Sequence, residues 1–178
     1  KMINTLFSVD IASTQVKDWK SKKKKLGKAM SNLAFLRKKL SNYETSRFCN
    51  DIEELKNTFN TVFKKDMEIL LRETNIKKIN IKDIWTVAYK KGDYQTIHHH
   101  GKSMYTGILY YDIQNKMDGT YFLSPVPNPI TASTQLSMPE VKEGTLCFFP
   151  GYLLHYTNPS QSDKDRVVIS FDFDIVEF

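Results

Sequence analysis

The sequence predicts a mainly β fold, a sandwich or jelly roll with N-terminal helices packed against it. Two observations point there. Before about residue 80 the apolar residues recur at helical spacings. From Ile84 onward they alternate or cluster in short runs punctuated by turn residues, and no internal repeat interrupts the pattern. The expected organisation is one structural domain, with 1–80 supplying an opening strand and helices and 81–178 supplying the β core.

Taken in order, Phe7, Val9 and Ile11 alternate, so Leu6–Ile11 reads as a short strand. Thr14 reads as the cap of a first helix whose apolar face carries Val16, Trp19, Leu26, Met30, Leu33 and Leu40, with Gly27 as its weak point. Asn50 followed by Glu53 resembles a capping box, and Ile52, Leu55, Phe59, Val62, Phe63 and Leu70 mark the stripe of a second helix. Both stripes read as core seams. Strands follow at Trp85–Tyr89, Gln95–His100, Met104–Tyr111, Thr120–Leu123, Gly144–Phe149, Tyr152–Thr157 and Arg166–Ile175. Gly92 marks a turn in Lys90–Asp93, and Pro125, Pro127, Pro129 and Pro139 mark a long connection.

Composition excludes several classes. The 178 residues are 40% hydrophobic and 12% aromatic, which argues against global disorder. The longest apolar stretches, Ile108–Tyr111 and Cys147–Leu154, fall far short of the ~20 residues of a membrane span. No leader pattern is visible, and Cys49 and Cys147 lie far apart, so free thiols in a reducing cytoplasm are expected. The formal charge of +6 sits largely in Lys17–Lys28 and Arg37–Lys39. A solvated helix face explains it, and nucleic-acid binding is the minority reading, because no zinc-finger spacing or RNA-binding aromatic signature accompanies the lysines.

The four histidines carry more information. Three are consecutive, His98, His99 and His100, and the fourth is His155. Side chains alternate along a strand, so His98 and His100 share one face and His99 takes the other. Two such imidazoles and a third from a distant strand are able to hold one metal ion, and imidazole suits zinc, copper, iron and nickel alike. A satisfied surface cluster is the alternative. Arg166 opens the last predicted strand, on the same face as Val168 and Ser170. A guanidinium in the same pocket would need an anion: either a bound carboxylate or an internal partner among Asp163, Asp165 and Asp172.

Tyr89 to Gly92, His98 to His100, Thr106 to Tyr111, Phe148 to His155 and Arg166 to Ser170 together resemble the Fe(II)- and 2-oxoglutarate-dependent oxygenases. The resemblance is to the prolyl-hydroxylase-like branch and to small oxygenases of phage and marine bacterial genomes, and it covers about residues 84–178. It implies a double-stranded β-helix, a distorted jelly roll, buttressed by helices. It implies His98, His100 and His155 as iron ligands, with His100 where the common motif has a carboxylate; Asp93 and Asp112 are the fallback carboxylates. It assigns Arg166 to the distal carboxylate of 2-oxoglutarate, and places Tyr110, Thr106, Tyr89 and Ser170 beside that cosubstrate. The implied activity is a hydroxylase using Fe(II), O2 and 2-oxoglutarate, releasing succinate and acting on an unknown substrate, with a protein prolyl residue as the leading guess. The implied location is the cytoplasm, a host's if the chain is phage-encoded. The alternatives are a cupin-like metal enzyme without 2-oxoglutarate and a catalytically silent binding module.

Overall fold

The computed structural model describes residues 9–34, 37–40, 42–49, 52–73 and 76–177. In chain order these form β1 (Ala12–Gln15), α1 (Trp19–Ala34), β2 (Lys38–Leu40), β3 (Tyr43–Thr45), α2 (Glu53–Glu73), β4 (Lys78–Tyr89), β5 (Gln95–His98), β6 (Tyr105–Asp112), a 3₁₀ turn (Lys116–Asp118), β7 (Tyr121–Leu123), β8 (Leu136–Ser137), β9 (Thr145–Pro150), β10 (His155–Thr157) and β11 (Arg166–Glu177). A seven-stranded sheet has the order β1-β9-β6-β11-β4-β3-β2, and a four-stranded sheet has the order β5-β10-β7-β8. The assigned pairings are antiparallel.

The large sheet is covered on both faces, and strand alternation sorts its side chains. On the outer face, Ile84 and Ala88 of β4, Leu109 of β6, Leu146 and Phe148 of β9 and Val167, Ile169, Phe171 and Phe173 of β11 share one buried cluster with the two helices. Leu26, Met30 and Leu33 of α1 and Leu55, Phe59, Phe63, Met67 and Leu70 of α2 supply the matching helical stripes. The Phe59 ring lies 4.8 Å from Phe171. On the inner face, Trp85, Val87 and Tyr89 alternate with the outer set, as do Ile108 and Tyr110, Cys147 and Phe149, and Val168. These pack with Phe122 and Leu153 from the side of the small sheet. Ion pairs tie the helices down. Lys22 of α1 meets Asp66 of α2 at 2.5 Å, and Lys23 pairs with Asp112 and with Glu143, the latter at 3.0 Å.

Several boundaries differ from expectation. Among the described residues the first strand is Ala12–Gln15 on the sheet edge; of the expected strand Leu6–Ile11, residues 9–11 are not strand and residues 6–8 lie outside the described residues. Thr14 belongs to that strand, pairs opposite Leu146 and is not a helix cap. The first helix ends at Ala34, and Leu40 belongs to β2, the exposed edge of the same sheet. The second helix opens at Glu53 with the Ile52 carbonyl already accepting from Lys56 N, so Glu53 is its first residue; Asn50 lies outside the described residues. Two short strands, β2 and β3, and the two-residue β8 were not anticipated.

Gly107 of β6 stands opposite Phe171 of β11 on the outer face, and a Cβ built there would lie 2.1 Å from the Phe171 ring. Phe171 has no exposed surface and packs against Phe59, Phe148 and Phe173, so the ring has nowhere to retreat. Gly107→Ala is therefore expected to destabilise the protein by about 1–3 kcal/mol. Urea denaturation would show a lower midpoint at unchanged slope; an unchanged midpoint would contradict this packing.

Candidate active site

Cross-strand register builds the site. β10 pairs antiparallel with β5 so that His155 stands directly opposite His98. Directly opposed residues carry their side chains on the same face, with Cβ atoms about 5 Å apart. The two rings meet with centroids 4.2 Å apart. His100 lies in the loop two residues beyond the end of β5, which is shorter than the strand expected to run through His100. It is held by its own N–H donating to Gly151 O at 2.6 Å, and its ring lies 5.4 Å from that of His98 and 5.2 Å from that of His155. One ring nitrogen from each histidine lies within 4.8 Å of the other two, and among the described residues these three form the group able to hold a metal ion.

The hydrogen bonds decide which nitrogen faces inward. Nδ1 of His98 lies 2.8 Å from Thr96 O, and Nδ1 of His155 lies 2.8 Å from Leu153 O. Each Nδ1 faces an acceptor, so it carries the proton and donates, leaving Nε2 with a free lone pair. Nδ1 of His100 likewise faces Asp172 Oδ1 at 2.7 Å. Three imidazoles are thus locked with Nε2 unpaired. Burial pushes His98 down to about 4 and His155 down to about 3, so at neutral pH both are uncharged, the form that ligates a cation. The donor set fits a divalent transition metal.

Trp85 stacks on His100, its ring 5.6 Å away and tilted by 19°. The Arg47 guanidinium covers the Trp85 ring at 4.3 Å. His99 faces away as expected, its Nδ1 accepting from Gly101 N. The fallback carboxylates are elsewhere: Asp93 accepts from Lys90 N, and Asp112 pairs with Lys23.

Arg166 enters the same cavity from the large sheet. It opens β11 opposite Tyr89 and is 2% exposed, with its guanidinium 4.7 Å from the centre of the Tyr89 ring. Its Nε has no hydrogen-bond partner, and no carboxylate among the described residues pairs with it. The internal partners considered from sequence are engaged elsewhere, Asp163 with Lys91 and Asp172 with His100, or form no such pair in the case of Asp165. A buried guanidinium with no acid partner among the described residues thus flanks the three imidazoles, and burial of such a charge calls for an anion.

The cavity between them holds about 20 Å³ of free space and is walled by Gln95, Thr106, Thr120, Thr157 and Ser170 as well as Tyr89. Tyr89 OH donates to Gln95 Oε1 at 2.8 Å, and burial raises its pKa to about 12. Tyr110 stands one position back. Its hydroxyl donates to Thr120 Oγ1 and accepts from Thr120 N, so Thr120 presents the polar surface there. Thr106 lines the cavity, but its hydroxyl donates to Asp172 Oδ1 at 2.9 Å. Thr120, Gln95, Thr157, Trp85 and Asp172 were not singled out as site residues from sequence. For Asp172 the signal was present: it shares the strand parity of Arg166 and Ser170.

The larger opening is a separate groove of about 800 Å³, lined by Phe122 and Leu153 and by Pro125, Val126, Leu136 and Ser137. It adjoins the histidines through the Phe122 ring, 5.9 Å from that of His155, and through Leu153 O, which accepts from His155 Nδ1. The small cavity carries the polar chemistry; the groove is the space beside it.

The chain matches the family model named "Putative 2OG-Fe(II) oxygenase" over residues 83–172, half of its length. No curated protein matches it in sequence. Solved structures do match in fold. The non-heme alpha ketoglutarate dependent epimerase SnoN from nogalamycin biosynthesis superposes with a TM-score of 0.67 at 12% identity, over 92% of this chain and 76% of that one. HygX from Streptomyces hygroscopicus, solved with nickel and 2-oxoglutarate bound, gives 0.65 at 11% identity, over 94% and 83%. The viral collagen prolyl hydroxylase of Paramecium Bursaria Chlorella virus-1, solved as a 2OG complex, gives 0.60 at 16% identity, over 94% and 96%. The architecture is the double-stranded β-helix of these oxygenases.

An unpaired buried cation destabilises the ligand-free fold. Replacing Arg166 by Met, similar in length and apolar, is expected to raise stability by about 1–2 kcal/mol without added ligand. Thermal unfolding would show a higher midpoint; a clear fall would mean that the guanidinium has a compensating partner.

Proposed function

Because the chain belongs to the family of 2OG-Fe(II) oxygenases, we propose that it hydroxylates a C–H bond, coupling that step to the conversion of 2-oxoglutarate and O2 into succinate and CO2. One observation carries the reading: three imidazoles with free Nε2 atoms line one small cavity with a buried arginine that has no acid partner among the described residues. His98, His100 and His155 would hold the iron. Iron held there would offer open coordination positions at which O2 is reduced, with two electrons from 2-oxoglutarate and two from the C–H bond.

The protein's own part is placement. Arg166 takes the distal carboxylate of 2-oxoglutarate through its two-pronged donor face, which orients the 2-oxo acid end toward the histidines. Tyr89 supports Arg166 from below, and Ser170, Thr157 and Gln95 offer hydroxyl and amide groups along the wall. Tyr110 and Thr106 act one step removed, through Thr120 and Asp172. Trp85 and Phe149, both buried around the triad, keep bulk water from the metal side.

The substrate would lie in the groove beside His155. Its floor belongs partly to β8, the edge strand of the small sheet, where an extended chain is able to add backbone hydrogen bonds. This supports a protein substrate, with a prolyl residue first. No described helix is long and apolar enough to cross a membrane.

Anaerobic Fe(II) and 2-oxoglutarate should produce the visible metal-to-ligand charge-transfer band, and admission of O2 should then release succinate. His155→Ala is expected to lose both metal and band. Arg166→Met should keep the metal and weaken 2-oxoglutarate binding about 10- to 100-fold. A well-metallated protein that never shows the band would instead be a metal enzyme without this cosubstrate.

A further inference from the structure

The three histidines are not held alike. His98 and His155 donate from Nδ1 to neutral backbone carbonyls, Thr96 O and Leu153 O. His100 alone donates to a carboxylate, Asp172 Oδ1, at 2.7 Å. Asp172 is 4% exposed and reaches His100 behind the cavity wall because β11 alternates: Arg166, Val168, Ser170 and Asp172 lie on one face. Its Oδ1 also accepts from Thr106 Oγ1 at 2.9 Å. Its nearest cation is Arg47, 3.5 Å from Oδ2 and partly exposed, which is loose compensation for a buried carboxylate.

We propose that Asp172 is a positioning residue that lends its negative charge to the metal through His100, replacing the carboxylate ligand that the triad lacks. The proposal rests on the reading that the triad holds a divalent metal. Three neutral imidazoles leave such an ion with its full double charge in a buried site, whereas one carboxylate among the ligands would halve it. A carboxylate on the outer nitrogen of a ligating imidazole raises that ring's basicity and fixes its orientation. Trp85, stacked on the face of His100, clamps the second direction of the same ring. The charge therefore sits one imidazole further out, at the histidine where the sequence departs from the common ligand pattern.

The variant Asp172→Asn removes the negative charge while keeping the side-chain size and the Oδ1 acceptor for His100 and Thr106, and turns an amide nitrogen in place of Oδ2 toward Arg47. Cobalt(II) is the probe, titrated anaerobically by competition with a chelator and followed by its visible absorption. Asp172→Asn is expected to weaken cobalt binding about 10- to 100-fold and to shift the cobalt spectrum. The metal-free melting temperature should be unchanged or higher. His100→Asp alone should also bind weakly, since it sets two carboxylates side by side. The double variant His100→Asp with Asp172→Asn returns one carboxylate to the site, now as a direct ligand, and should bind more tightly than either single variant. Wild-type affinity in Asp172→Asn, or a double variant no better than the singles, would overturn the proposal while leaving the metal site standing. A wild-type protein that does not bind cobalt would remove the metal site itself, and the proposal with it.

Discussion

β11 is buried on both faces, and the two faces do different work. Val167, Ile169, Phe171 and Phe173 point outward into the cluster shared with both helices. Arg166, Val168, Ser170 and Asp172 point inward, and three of those four are polar. The strand is fixed along most of its length by β4 on one side and β6 on the other. A slip of one residue would exchange the faces, driving phenylalanines into the cavity and a guanidinium and a carboxylate into the apolar seam. The register that builds the core thus also aims the arginine at the histidines. The helices contribute to the site at one remove, by making that slip prohibitively unfavourable.

The small sheet supplies the other half by a looser device. β5 and β10 are short, and their pairing is irregular between His155 and Thr157. What holds the rings is local: each Nδ1 is tied to a nearby acceptor, and Phe122, Phe149 and Trp85 pack around them. The site therefore joins a rigid wall, carrying Arg166 and Asp172, to a rim carrying His98 and His155. Burial explains the electrostatics of both. It keeps the His98 and His155 rings neutral, and it makes the lone guanidinium costly until an anion arrives.

Much of this was legible in the sequence because it follows from parity. The histidine run and the isolated His155 named the three imidazoles, although β5 ends at His98 and His100 reaches the others from the loop beyond it, not by the strand alternation expected through His100; Arg166 opened an alternating strand. The helical stripes around Phe59 and Leu26 were read correctly as core. What escaped was set by tertiary context. The spacing of Leu40 continued the first helical stripe numerically, although the helix ends at Ala34 and the chain returns as an edge strand. The polar segment Ala12–Gln15 carries no strong strand pattern, because only backbone pairing with β9 makes it a strand. Asp172 was weighed only as a partner for Arg166. Which of two inward groups a buried carboxylate meets depends on where β5 ends and the chain bends toward Gly151, and residue spacing does not encode that distance.

The proposed function requires three Nε2 atoms and one guanidinium to address a single ligand set. Crystals grown with nickel(II) and 2-oxoglutarate, with data collected at the nickel absorption edge, test it most directly. One strong anomalous peak is expected about 2.0–2.2 Å from Nε2 of His98, His100 and His155, with the diacid's far carboxylate on Arg166. An ion seated on Asp172, or a diacid bound away from Arg166, would contradict it.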